Sequence, residues 1–340
     1  MTDATSVLFV SNFLSSTLNR GYSEELADRL EARRWTVHRT SSERGPIAKI
    51  TDMVATVWRR RHDYAVAHVD VFSGDAFVWA EAACFALARL RKPMILTLRG
   101  GNLPAFAHKW PRRVRRLLEA AELVTVPSDY LREQMAPYRS DLVVLRNAID
   151  TAAYPFAPRD VVKPRLVWVR AFHEIYNPVL AIEVLARIPD ATLVMLGPDK
   201  DGTRALVERR ASELGVTSRL ELVGGVPKAE IPRHLAAADI FLNTTNIDNT
   251  PISVLEAMAA GLCVVSTNVG GVPFLLHDGA DALLVPPGDP AAMTAAVQRL
   301  LHEAGLGARL SRSARAFATA CDWQPALAAW ESRLRKVALA

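Results

Sequence analysis

Twice along its length this chain alternates short apolar runs with amphipathic stretches, and that rhythm leaves few folds open. In the first half Ser6–Val10, Tyr64–Val69, Met94–Leu98, Leu123–Val126 and Leu142–Leu145 read as strands, with a helix over Tyr22–Arg34. In the second half Arg165–Val169, Thr192–Leu196, Leu220–Val223, Ile240–Asn243, Cys263–Ser266 and Ala282–Val285 read as strands. Helices are predicted between them over Pro178–Arg187, Thr203–Leu214, Lys228–Ala238 and Pro251–Ala260. Apolar runs of this length suit strands covered on both faces, and strands separated by helices form parallel, doubly wound sheets. The expected class is α/β, with two doubly wound parallel-sheet (Rossmann-like) domains.

The junction is expected within Asn147–Pro164, where Pro155, Pro158 and Pro164 interrupt any apolar periodicity. We place the first domain at residues 1–155, the second at 156–322 and a terminal segment at 323–340. A chain of 340 residues is long for one core and comfortable for two. Of its 17 glycines, five precede residue 150 and twelve follow it. Glycine lets backbone approach a ligand, so the second half is expected to hold the nucleotide.

Composition narrows the partners. With 50% hydrophobic and 23% charged residues, the chain reads as soluble and globular. A net charge of +5 fits an anionic ligand or membrane surface. No stacking aromatic pattern accompanies the basic residues, so no nucleic-acid partner is expected. Cys84, Cys263 and Cys321 lack metal-ligand spacing and read as reduced thiols. With no signal-peptide pattern and no uncharged apolar run of bilayer length, the expected location is cytoplasmic. The stretch Lys109–Arg116, K-W-P-R-R-V-R-R, carries five basic residues in eight. It suggests either a solvated helix face or a peripheral contact with anionic membrane.

The densest chemistry lies in Asp248–Gly271, D-N-T-P-I-S-V-L-E-A-M-A-A-G-L-C-V-V-S-T-N-V-G-G. Asn249 or Thr250 can cap a helix whose first turn holds Pro251, Ile252 and Ser253. First-turn N–H groups and the helix dipole form an anion site. Asp248 lies before that helix start and Glu256 within it, so the two acids can hold hydroxyls on both sides of a diphosphate. A plain capped helix ending at Gly261 is the alternative. Gly270–Gly271 either approaches a sugar or phosphate or only makes a turn. His68 and His173 receive no catalytic role.

These residues resemble the retaining glycosyltransferases of family 4, which have the GT-B fold. The segment T-P-I-S-V-L-E-A-M-A-A-G-L-C-V-V-S-T-N-V-G-G-V-P is similar to the family's acidic signature. Other matches run in order: L-T-L-R-G-G-N-L-P, V-T-V-P-S-D-Y-L, V-V-L-R-N-A-I-D, L-V-W-V-R-A-F, A-T-L-V-M-L-G-P and A-A-A-D-I-F-L-N. The stretch around Trp323 and Trp330 resembles the closing helix that crosses back to the first domain. The resemblance implies two domains facing across a cleft, a nucleotide-sugar donor on the second and a sugar, lipid-linked or small-molecule acceptor on the first. It implies hexose transfer with retention, no required metal and no cofactor beyond the donor itself. By position, Glu256 would hold the ribose hydroxyls, Asp248 would contact the donor sugar and Arg170 would bind the diphosphate. Gly224, Gly225 and Val226 would lie along the base, with Gly197 in a neighbouring loop. Asn249 to Ser253 would form the helix start beneath the phosphates. The expected products are cell-surface polysaccharides or glycolipids. The alternatives are a weakly active or inactive binding subunit, or another GT-B enzyme such as a nucleotide-sugar epimerase.

Three positions depart from the family pattern. Asp248 stands where Glu is common, Tyr176 where a Lys usually precedes Asn-Pro, and Arg99 where many members carry His. Arg99 would put a cation near the cleft. Asn177 and Pro178 could offer a second helix N-terminus in place of the missing lysine.

Overall fold

The computed structural model describes residues 5–13 and 21–339. Residues 14–20, between the expected strand Ser6–Val10 and the expected helix Tyr22–Arg34, therefore lie outside the described residues. The chain divides into two compact units, Met1–Asn147 with Gln324–Ala340, and Ala148–Trp323.

Unit 1 runs β1 Ser6–Val10, α1 Tyr22–Ala32, β2 Thr36–Thr40, α2 Pro46–Arg59, β3 Val66–Val71, α3 Ala76–Arg89 and β4 Met94–Leu98. It continues through α4 Leu103–Lys109, α5 Pro111–Glu119, β5 Leu123–Val126, α6 Asp129–Met135 and β6 Val143–Val144. Its strands pair in parallel in the order β2-β1-β3-β4-β5-β6. Strand residues alternate between two buried faces. Leu8, Val10, Ala67, Val69, Val71, Leu96 and Leu98 join one apolar core. Phe9 and His68 point the other way, with ring centroids 4.6 Å apart.

Unit 2 runs β7 Arg165–Val169, α7 Pro178–Arg187, β8 Thr192–Leu196, α8 Thr203–Glu213, β9 Leu220–Gly224, α9 Ile231–Ala236 and β10 Ile240–Asn243. Then come α10 Ile252–Ala260, β11 Cys263–Thr267, α11 Val272–Leu275, β12 Leu283–Val285, α12 Pro290–His302 and α13 Leu306–Ala320. The parallel order is β12-β11-β10-β7-β8-β9, so the chain reverses its winding between β7 and β10. Leu166 and Trp168 face one core, Val167 the other.

The final helix, α14 Trp323–Ala338, belongs almost wholly to unit 1. Its Trp330 ring lies 5.2 Å from His68 and donates Nε1–H to the Tyr22 hydroxyl at 3.3 Å. Glu331 accepts from Trp35 Nε1 at 3.0 Å and pairs with Arg33 at 3.3 Å.

The proline-bearing segment expected to be a junction is packed onto unit 2. Buried Arg159 reaches the Ala238 carbonyl at 2.8 Å and Asp239 at 3.2 Å, and Arg315 donates to the carbonyls of Tyr154 and Ala259. A Cβ at Gly261 would stand 2.5 Å from the Ala157 carbonyl, so this segment needs the missing side chain.

One strand escaped the sequence reading. β2, T-V-H-R-T, is half exposed and pairs with β1 alone. An edge strand buries little, so it carries no apolar run. The expected helix Lys228–Ala238 is a 3-10 turn at Lys228–Glu230 followed by α9. The basic stretch Lys109–Arg116 is not one helix. Lys109 ends α4, Trp110 is the joint with φ −129°, and Pro111 begins α5.

Candidate donor site

In an open parallel sheet a ligand crevice forms where neighbouring strands send their connections to opposite faces. In unit 2 that place lies beyond the carboxyl ends of β7 and β10. Arg170 follows β7 directly, and Asp248 lies in the loop that leaves β10 for α10. Their side chains meet there: Arg170 Nη2 donates to Asp248 Oδ2. Arg170 Nε is buried without a hydrogen-bond partner among the described residues. A buried guanidinium N–H left unsatisfied is costly, and an oxyanion is the partner its fork suits best.

Asp248 is held on every side. Its Oδ1 accepts from the Asn249 N–H at 2.8 Å and its carbonyl from the Gly271 N–H at 3.0 Å. The glycine pair serves this packing. A Cβ at Gly270 would lie 2.2 Å from the Asp248 carbonyl, and one at Gly271 2.1 Å from that of Asn249. Gly270 also has φ +53°, a region that costs non-glycine residues.

The helix start differs from the capping expected. Pro251, not Asn249 or Thr250, holds the N-cap position of α10, with extended φ −66° and ψ 111° and no side-chain cap bond. Its fixed φ sets the turn, and its carbonyl accepts from Val254 at 3.2 Å and Leu255 at 3.4 Å. Ile252 and Ser253 then supply the first-turn N–H groups that helix geometry leaves facing outward. Ser253 Oγ, buried at the same end, has no hydrogen-bond partner among the described residues. Glu256 follows on α10 and is 6% exposed. A carboxylate that deep requires polar company.

On the other side of Arg170, Gly197 has φ +151°, and a Cβ there would overlap the Arg170 carbonyl at 1.6 Å. The Gly197 N–H donates to the Gly224 carbonyl at 2.7 Å. Gly197 thus borders the Arg170 backbone, and Gly224 adjoins Gly197. A Cβ at Gly225 would have Pro198 nearest, at 3.6 Å, an ordinary contact, and Val226 packs at the margin of the apolar core.

Tyr176 ends a single 3-10 turn, Glu174–Tyr176, and its ring centroid lies 4.9 Å from Arg170 Cζ. Asn177 then adopts φ +44° at the N-cap of α7 with Pro178 as first residue, and its side chain makes no cap bond. His173 Nδ1 accepts from the Ile175 N–H at 3.1 Å, a local turn bond.

Unit 1 has its own switch point, between β1 and β3, and the chain's side chains fill it. Asp70, on β3, accepts from Ser11 Oγ at 2.5 Å and from Ser23 Oγ. Arg99, beyond β4, donates to Asp70 at 3.0 Å and to Asn147 at 3.1 Å, and its guanidinium lies 4.6 Å from the Tyr22 ring. Arg99 is 8% exposed and its charge is balanced by Asp70 within unit 1. His68 is fully buried beside them, its Nε2 2.7 Å from Thr97 Oγ1. Burial pushes its pKa down to about 4, with Asp70 opposing and Arg99 adding to the shift.

A cavity of about 710 Å³ in unit 1 is lined by Phe13, His38, Arg39, Thr40, Asp52 and Arg59. Its wall is β2, so missing that strand also hid the cavity. Arg39 is bound to Glu31 at 2.6 Å and Arg59 lies 3.6 Å from Asp52, which leaves a mixed polar lining.

Two family profiles match the chain. The one described as Glycosyl transferases group 1 covers residues 163–303, and Glycosyltransferase Family 4 covers residues 18–153. The chain belongs to glycosyltransferase family 4. This family 4 chain is 30% identical over 221 residues to glycogen synthase of Mycobacterium tuberculosis, matching 61% of its own length and 52% of the relative's. It is 25% identical over 311 residues to D-inositol 3-phosphate glycosyltransferase of Geodermatophilus obscurus, 82% and 68% of the two chains. It thus spans about half the length of the glycogen synthase it matches. HepE of Anabaena, solved with UDP and glucose, superposes with a TM-score of 0.78 at 18% identity over 97% of this chain and 99% of its own. Sucrose-phosphate synthase of Thermosynechococcus elongatus gives 0.81 at 17% identity over 98% of each. At these identities the likeness is one of fold, and the fold is GT-B.

Proposed function

We propose that this family 4 chain is a retaining glycosyltransferase that moves a hexose from a UDP- or GDP-sugar to an acceptor hydroxyl, in polysaccharide or glycolipid synthesis. The observation that carries the reading is the meeting of Arg170, Asp248 and the α10 N-terminus at the switch point of unit 2. Breaking the sugar–phosphate bond leaves negative charge on the departing diphosphate. Fixed donors that need no reorganisation stabilise that charge best. Arg170 Nε and the Ile252 and Ser253 N–H groups serve as those donors, with no metal required. Asp248 accepts from donor-sugar hydroxyls, and buried Glu256 holds the ribose. HepE, of like fold, binds UDP and glucose, which is in keeping with this choice of donor. The polar cavity beside β2 is the place in unit 1 suited to an acceptor rich in hydroxyls.

A thermal-shift series with UDP-, GDP- and ADP-sugars tests the reading. At a hundred times Kd a ligand adds about 2.7 kcal/mol to the folded state, enough to raise the unfolding midpoint by several degrees. We expect a rise with at least one donor and none in Glu256→Ala, whose own midpoint stays near the parent's. No shift with any donor, or an undiminished shift in the variant, would overturn the assignment.

The acceptor side includes a membrane contact in our reading. Among the described residues no helix is long and apolar enough to cross a membrane. Val114, Leu117 and Leu118 of α5 are buried, while Arg112, Arg115 and Arg116 are exposed and Trp110 is 45% exposed at the joint. Phe85 on neighbouring α3 is 67% exposed, and Arg113 is tied to Glu81 of α3 at 2.7 Å, so it is not free to dock. Basic side chains around exposed aromatic rings suit an anionic headgroup layer. Replacing Arg112, Arg115 and Arg116 with Gln is expected to weaken co-sedimentation with phosphatidylglycerol vesicles by ~10²-fold, at about 1 kcal/mol per cation. Equal sedimentation of variant and parent would remove the membrane contact.

A further inference from the structure

We propose that Tyr176 is a positioning residue that aims the Arg170 fork at the donor diphosphate, supplying orientation where the family pattern supplies a second cation. The inference rests on the donor-site reading above and concerns this chain's departure from it. The ring lies 4.9 Å from Arg170 Cζ, within range for a guanidinium held against an aromatic face. An arginine on one strand end is otherwise a long, mobile side chain, and immobilising it ahead of binding lowers the entropic cost of engaging the ligand.

The backbone that carries the ring is itself held. The Tyr176 carbonyl accepts from Thr244 Oγ1 at 2.7 Å, and Thr244 accepts from Trp168 Nε1 at 2.9 Å. The neighbouring Ile175 carbonyl accepts from the Asn246 N–H at 2.8 Å. These bonds join the end of β7, the Glu174–Tyr176 turn and the loop leading to Asp248 into one polar frame. Within it Arg170 is fixed on two sides: Asp248 takes Nη2, and Tyr176 covers one face. Nε remains buried without a partner among the described residues. An incoming diphosphate can take Nε and then compete with Asp248 for Nη2, while the stacked face stays in place. A lysine at 176 would add charge, but as a point donor without this directional control.

The test is a double-mutant cycle read by calorimetry with UDP and with GDP. Tyr176→Ala should weaken the tighter nucleotide by ~5–30-fold, the range for a desolvated cation–aromatic contact, while Tyr176→Phe stays within about 2-fold. In an Arg170→Ala background, Tyr176→Ala should add less than about 2-fold, because the residue acts through that arginine. A merely structural tyrosine would lose as much in that background as in the parent. Full additivity, or parent-like affinity in Tyr176→Ala, would overturn the inference. Failure of the parent itself to bind either nucleotide would overturn the donor-site reading and this inference with it, which separates the two failures.

Discussion

Arg170→Ala is expected to lower kcat by ~10²–10³-fold, the usual loss when one preorganised donor to a developing oxyanion is removed. The size follows from where the residue sits. It closes β7 at the point where the winding of unit 2 reverses, and its Nε is buried without a hydrogen-bond partner among the described residues. Charge on the diphosphate grows only as the sugar leaves, so the loss should fall on kcat as well as on kcat/KM. Arg170→Lys should recover a small part, because an ammonium cannot reproduce a two-pronged contact. Asp248 loses its partner in the alanine variant, but both side chains keep some solvent contact, at 16% and 13% exposure, so the fold should survive. Initial rates with the donor found by thermal shift, together with the unfolding midpoint, decide the matter. A kcat within threefold of the parent would reduce Arg170 to a residue that merely closes a strand.

How much of this was legible in the sequence depends on how local each feature is. Met94–Leu98 and Cys263–Thr267 are buried along their whole length, so their apolar runs announce central strands. Thr36–Thr40 has one neighbour and a polar sequence, and its pairing is settled by tertiary contact rather than by pattern. The acids Asp248 and Glu256 could be read from spacing around a helix start. The bond from Arg170 to Asp248 could not, since it joins residues 78 apart through strand order. The same holds for Gly270–Gly271, where sequence left ligand approach and turn equally open. The clearance needed against the Asp248 and Asn249 carbonyls gives the pair a reason that no local pattern contains. Pro251 took the cap position from Asn249 and Thr250 because its own extended ψ already ends the loop. Ser11, Ser23, Asp70 and Arg99 are scattered short or charged residues without periodicity. Only the topology of unit 1 gathers them.

That gathered cluster carries the second large expectation. Arg99→Ala should destabilise unit 1 by ~3–5 kcal/mol, the cost of leaving one half of a buried ion pair behind. The side chains are 10% and 3% exposed, so little water can replace the missing partner. Burial works to raise the Asp70 pKa, yet Arg99, His68 and the two serine hydroxyls together hold it below its ordinary value. A lowered folded-state pKa means stability that is full above the unfolded value and lost as pH falls through the folded one. His68 obeys the same sign: it is buried neutral with its pKa near 4, so the parent should lose about 2 kcal/mol between pH 7 and pH 5 as the unfolded state takes up the proton. In Arg99→Ala the carboxyl of Asp70 no longer has its cation, titrates higher and can become neutral. The gap between variant and parent should therefore narrow as pH falls toward 4. Adding Asp70→Asn to Arg99→Ala should restore part of the loss, since it removes the stranded charge. Hydrogen-exchange mass spectrometry at pH 7, following peptides of β3 and β4, localises the effect to unit 1. UDP or GDP affinity should stay at the parent value in every one of these variants, because Arg170, Asp248 and Glu256, the residues proposed to hold the donor, all belong to unit 2. Unchanged exchange in Arg99→Ala would mean that the pair contributes nothing to the fold, and the position would then have to be explained through the reaction instead.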